Sequence, residues 1–168
     1  MSRRLAGLFV GLGLSMAASP EVRASDKFAR GALILSPSDA PLSNRWLVSL
    51  GLDKPVNLEQ TLYVGIEIQS AIYKVSTPAG SATVIPLNGF LNVKFKTATV
   101  GLRPFAGAGF GVPSTLTSST GGKSFDPDLG FHLLAGTEWG KLTFEFQIAR
   151  TLDTGAKFNY IVLAGLTF

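Results

Sequence analysis

Residues 141–148 read KLTFEFQI. Leu142, Phe144, Phe146 and Ile148 fall on one side of an extended chain, with Lys141, Thr143, Glu145 and Gln147 on the other. That strict period of two belongs to a strand and not to a helix. The end of the sequence repeats it, with Tyr160, Val162, Ala164, Leu166 and Phe168 set against Asn159, Gly165 and Thr167. TLYVGIEI, ATVIPLNGFLNVKF, LRPFAGAGFGV, LGFHLLAGTEW and RWLVSLGL follow the same rule, and KFARGALIL does so least clearly. The pattern predicts an all-β chain of eight strands, each roughly 8–14 residues, against the ~9–11 that a tilted membrane-crossing strand needs. Pro86 and Pro104 fall inside two of these segments. Because proline cannot donate to a ladder, they mark bulges or strand ends.

The first 24 residues have a different character. Arg3 and Arg4 precede an uncharged apolar run from Leu5 to Ala18, and Val22-Arg23-Ala24 supplies a small-residue cleavage site before Ser25. This is the anatomy of a secretory signal peptide, too short in its apolar part to span a bilayer. The expected organisation is therefore a signal over 1–24 and one barrel domain over 25–168. Removing three arginines and Glu21 lowers the formal charge from +4 to +2. No basic run remains to suggest nucleic acid. The later charge-free stretches, 75–93 and 104–122, are broken by Pro78, Pro86, Pro113 and several glycines, so neither predicts a spanning helix. An exported, apolar chain without such a helix points to a closed barrel, the other structure that can cross lipid with every backbone group paired.

A soluble, lipocalin-like ligand-binding barrel also alternates, with its apolar face inward. Three features favour the membrane form. Gly65, Gly107, Gly109, Gly111, Gly136 and Gly165 lie on the polar face, as in a narrow wet or plugged lumen. Trp46, Tyr73, Phe95, Trp139, Tyr160 and Phe168 lie near strand ends, where membrane barrels carry aromatic girdles. The connections also alternate in kind. Segments 36–44, 74–81, 113–127 and 151–158 are mostly long and polar, whereas 53–60, 96–99 and the turn at Gly140 form a shorter set. With the N-terminus in the periplasm, the first set is extracellular.

LRPFAGAGFGV, GFHLLAGTEWGKLTFEFQIART and NYIVLAGLTF resemble the small outer-membrane β-barrel family, the group of the OmpA membrane domain, OmpX and OmpW-like proteins. The resemblance is strongest in the C-terminal half and implies a bacterial outer-membrane location. It also implies contact with outer-membrane lipid and lipopolysaccharide. In that family the terminal aromatic strand is read by the barrel-assembly machinery, a role that would fall here to Tyr160, Leu166 and Phe168.

Sites of chemistry are few. The absence of cysteine removes thiolate metal sites, disulfides and cysteine nucleophiles. TSSTGGKS has Thr117 where a phosphate loop wants glycine, and Pro127 soon follows where a helix should begin. GAGFGV sits within one alternating strand and is not a dinucleotide turn. The sole histidine, His132, is followed by Leu133 and Leu134. The resemblance to an outer-membrane lipid A deacylase would require a serine two residues after it. One histidine does not make a multi-histidine metal site. A hydrogen-bonded lumen histidine is expected, and no cofactor is indicated.

Lys94, Arg103, Glu138 and Glu145 share the polar face in the periplasmic half, with Glu67 just above them. An eight-stranded barrel is about filled by its own side chains, and charges enclosed there must pair. The expected result is an ion-pair network across the lower lumen of a non-enzymatic barrel with a structural or surface-interaction role. The alternatives are a narrow channel for small apolar solutes, with a seam near Pro86, Pro104 and the glycine-rich strand, and a lipid-modifying enzyme.

Overall fold

The computed structural model describes residues 25–35, 45–77, 80–97, 101–119 and 121–168. The expected signal segment and the 36–44 loop lie outside the described residues. The strands are β1 (Asp26–Leu35), β2 (Arg45–Pro55), β3 (Leu62–Ser70), β4 (Tyr73–Thr77), β5 (Gly80–Lys96), β6 (Leu102–Ser119), β7 (Gly122–Pro127), β8 (Gly130–Trp139), β9 (Leu142–Thr151) and β10 (Asn159–Thr167). All pairings are antiparallel, and β1 pairs β10 from Phe28↔Thr167 to Leu35↔Tyr160, which closes the sheet. The wall is the ring β1-β2-β3-β5-β6-β8-β9-β10, eight strands as the alternation predicts. The result is a closed antiparallel barrel.

The strands are tilted, and the register shows how far. A paired row that starts at Asp26, the N-terminal end of β1, runs through Asp53, Gly65, Asn92, Gly109, His132 and Ala149. It arrives at Asn159, the opposite end of β10. Rows perpendicular to the strands therefore climb around the barrel, the stagger that closure of a tilted sheet requires.

β4 and β7 extend the wall beyond the barrel. β4 keeps the register of β3 against β5, with only Ala71 and Ile72 dropped opposite Pro86 and Ile85. Pro86 has no N–H to offer there, and its carbonyl accepts from Ser70 Oγ at 3.0 Å. β7 likewise keeps the register of β8 against β6, and the break falls opposite Pro113, whose carbonyl accepts from Asp128 N at 2.8 Å. Pro104 lies where the β5–β6 ladder has just ended. Segments 74–81 and 113–127, expected as loops, are thus mostly paired strands. Serine and threonine on both faces hide the alternation there, while backbone pairing with β5 and β6 orders the chain. The shorter turns also shrink, since Asp53 to Pro55 belong to β2 and Lys96 to β5.

The faces sort as a bilayer demands. Trp46, Val48, Leu50, Phe95, Phe144, Val162 and Phe168 point outward and are 44–72% exposed. Arg30, Ser49, Glu67, Asn92, Lys96 and Gln147 point inward and are at most 3% exposed. An apolar outside around a charged inside is the reverse of a soluble barrel and matches a lipid-facing wall. Phe95, Trp139 and Phe168 ring one end, and Trp46 and Tyr160 lie toward the other. Tyr73 departs from the expected girdle. It shares the register parity of the lumen-facing residues and lies beneath the Arg45 guanidinium, 5.1 Å from its ring.

Candidate functional site

The lumen is filled in tiers. At the end of the barrel where β1 begins, the Lys96 ammonium lies 2.7 Å from Glu138, 3.0 Å from Asp26 and 3.3 Å from Asp53, with the Tyr63 ring 4.4 Å away. Arg103 donates to the Tyr63 hydroxyl at 2.8 Å and pairs with Glu138 at 3.3 Å. Lys94 comes next, 3.1 Å from Asp53 and 3.5 Å from Glu145, between the rings of Phe28 and Phe105. Above it Arg30 bridges Glu145 and Glu67, the latter at 2.9 Å, with its guanidinium 4.0 Å over Phe28.

An amide tier follows. Glu67 accepts from Ser49 Oγ (2.6 Å), Gln69 Nε2 (2.9 Å) and Asn92 Nδ2 (2.9 Å). Gln147 donates to Glu145 at 2.6 Å and accepts from Gln69 at 2.9 Å. His132 is fully buried, with Nε2 2.9 Å from Asn92 Oδ1 and its ring 4.4 Å from that of Phe90. Gly109 makes room for this pair, since a Cβ there would lie 2.1 Å from Asn92 Oδ1 and 2.3 Å from His132 Nε2. Beyond this tier Ala32, Ile34, Leu47, Ile161 and Leu163 form an apolar cluster along β1, β2 and β10. Beside this cluster a 230 Å³ cavity reaches down to Gln69 of the amide tier, among Ile34, Phe90, Asn88, Asp126 and Phe131.

All five charges expected from the sequence (Glu67, Lys94, Arg103, Glu138 and Glu145) fall in this one connected network. Four partners were missed: Asp26, Arg30, Asp53 and Lys96. Asp53 and Lys96 sit at strand ends that read as turns, yet each keeps the inward parity of its strand, Lys96 after Asn92 and Lys94. Arg30 lies in the strand with the least clear alternation, flanked by Ala29 and Gly31. His132 has the position of a hydrogen-bonded core group, held by Asn92 and the ring of Phe90. The expected seam near Pro86 and Pro104 is closed, since β5 and β6 pair from Thr83↔Ser118 to Lys96↔Phe105.

No family model matches the sequence, and no curated protein matches it. Solved structures do. The chain superposes on neisserial surface protein A (NspA) with a TM-score of 0.55 at 11% identity, covering 85% of this chain and 92% of that one. The N-terminal β-barrel domain of Pseudomonas aeruginosa OprF gives 0.52 at 10% identity over 86% and 96%. The fold is that of the small outer-membrane β-barrels. Ail, the attachment invasion locus protein of Yersinia pestis, solved with the heparin analogue sucrose octasulfate, gives the same score, identity and coverage as OprF. At these identities the outer-membrane barrels share with this chain the path of the backbone, while the charged tiers described above are read from its own residues.

Proposed function

We propose that this chain is a non-enzymatic outer-membrane protein whose plugged barrel holds the β4–β5 and β6–β7 hairpins rigidly above the membrane, in a structural or surface-interaction role. The filled lumen carries the reading. Among the described lumen residues, Asp26, Arg30, Asp53, Glu67, Lys94, Lys96, Arg103, Glu138 and Glu145 each have a partner of opposite sign, and together they fill the barrel's cross-section below the apolar cluster. A solute passing along the axis would have to separate buried ion pairs, each about 3–5 kcal/mol to break. That speaks against a channel and for a scaffold.

Residues 1–24 fit this reading as an export signal cleaved before Ser25. Tyr160 and Leu166 on β10, and Phe168 directly after it, have exposed outward side chains and are candidates for recognition by the barrel-assembly machinery. Outer-leaflet lipid would contact the apolar wall.

The test pairs two measurements on the full chain expressed in a Gram-negative host. The outer-membrane fraction is run in detergent gels with and without boiling, and the purified protein is placed in planar bilayers. A boiling-dependent mobility shift without stable conductance is expected. A soluble product with no shift refutes the membrane barrel, and a shift accompanied by steady conductance refutes the plug.

A further inference from the structure

The cavity beside the apolar cluster combines apolar walls with acidic and amide groups. Ile34, Phe90, Pro113 and Ile161 line it, and Ile34, Phe90 and Ile161 are buried. Asp126 and Asp128 supply its carboxylates. Both keep inward parity, since Asp126 pairs with Thr115 and the Asp128 amide donates to the Pro113 carbonyl. Neither forms a salt bridge among the described residues. Arg150, the one cation among the described lining residues, has the outward parity of β9, and its guanidinium lies 5.2 Å over the Phe158 ring. Gln69 reaches the cavity from the amide tier and is 1% exposed. Its Nε2 donates to Glu67 and Gln147, both at 2.9 Å, while its Oε1 accepts from no group among the described residues. The network below is one cation short, because the carboxylates of Asp26, Asp53, Glu67, Glu138 and Glu145 meet only Arg30, Lys94, Lys96 and Arg103. Among the described residues Glu67 pairs with Arg30 alone, and Glu145 shares that partner.

We propose that this cavity binds a short aliphatic diamine, with one ammonium on Gln69 Oε1, the other on Asp126 and Asp128, and the methylenes against Ile34, Phe90 and Ile161. The site goes beyond the scaffold role and needs only the closed barrel. An ammonium has donors and no acceptor, which suits a buried carbonyl oxygen that lacks a donor. At Gln69 it also sets positive charge one amide away from Glu67, where the low dielectric strengthens the attraction. The second ammonium answers two carboxylates that have no cation of their own. The volume of 230 Å³ falls below the roughly 300–1,000 Å³ of sites for drug-sized molecules, which confines the ligand to a few carbons. Calcium or magnesium would need a shell of oxygens on every side. Walls of Ile34, Phe90, Pro113 and Ile161 do not supply one.

The experiment uses the full chain folded in neutral detergent and titrated with putrescine in an isothermal calorimeter. One putrescine per chain is expected. Butylamine, with a single ammonium, should bind more weakly, and butanediol, with none, more weakly still. Asp126→Asn and Asp128→Asn should each weaken putrescine about threefold, the effect of losing a partly exposed ion pair. Ala149→Leu adds bulk inside the cavity without changing its charge and should abolish binding. Lys141→Gln, at the exposed turn between β8 and β9, should change nothing. No putrescine binding by protein that shows the boiling shift overturns the inference. So does butylamine, butanediol or calcium binding as tightly as putrescine, or undiminished affinity in the variant that carries both aspartate changes. The boiling shift is measured on every variant. If Ala149→Leu lacks it, the aspartate variants decide, since Asp126 lies on β7, outside the barrel ring.

Discussion

Replacing Arg30 with methionine removes the cation shared by Glu67 and Glu145 while keeping most of the buried volume. Both carboxylates stay buried, at 1% and 3% exposure. Glu145 retains Lys94 at 3.5 Å and the Gln147 amide, but Glu67 is left with the neutral donors of Ser49, Gln69 and Asn92. Hydrogen bonds soften the loss of charge balance without cancelling it. Removing one member of a buried pair costs about 3–5 kcal/mol, and the contact with Phe28 adds to the loss because it is desolvated. With a urea dependence of about 2 kcal/mol per molar, the unfolding midpoint should fall by about 2 M. The assay is equilibrium urea unfolding in detergent, followed by the fluorescence of Trp46 and Trp139. Adding Glu67→Gln and Glu145→Gln to Arg30→Met should restore at least half of the loss, because a neutral cluster no longer needs a counter-charge. A midpoint shift below about 0.5 M for the single variant, or further loss in the triple variant, would refute the view that Arg30 neutralises this tier.

Other expectations follow from single contacts. Gly165→Ala would place a Cβ 2.1 Å from the Ala29 carbonyl at the β1–β10 seam and should reduce the heat-shiftable fraction sharply. Gly89→Ala meets nothing within 4 Å and should leave stability unchanged or raise it by up to about 1 kcal/mol. Asn57 accepts from the amides of Thr61 and Leu62 at 2.9 and 3.0 Å, so Asn57→Ala should cost about 1–2 kcal/mol, read in the same urea titration. If His132 is structural, the mass spectrum of lipid A from cells expressing the protein should match that of cells expressing His132→Ala. A mass difference between them would reopen the enzymatic reading.

Much of the wall was legible because lipid outside and charge inside impose opposite demands on alternate residues. Leu142, Phe144 and Phe146 against Thr143, Glu145 and Gln147 could be read only as a strand, and the girdle, glycines and loops then chose the face that meets lipid. Where both faces meet water the code fades. β4, β7 and the Ser/Thr-rich end of β6 read as loops for that reason, although their pairing continues. Glu145 could be placed inside from its neighbours, but its pairing with Arg30, 115 residues away, depends on how far the rows climb around the ring. That stagger is set by all eight pairings together, and no local segment encodes it. Asp53 and Lys96 were hidden differently, by a switch from alternating to polar composition at strand ends where parity still held.

The β1–β10 pairing has a kinetic side. Phe28 meets Thr167 and Leu35 meets Tyr160, so closure joins the two ends of nearly the whole domain. Until that step both outer strands expose a row of unpaired amides and carbonyls, which lipid penalises and other chains readily capture. Contacts this distant in sequence also form slowly. The last ladder to form thus carries both the largest search and the greatest exposure to misassembly, so a catalyst acting on this protein would gain most by holding β1 and β10 together.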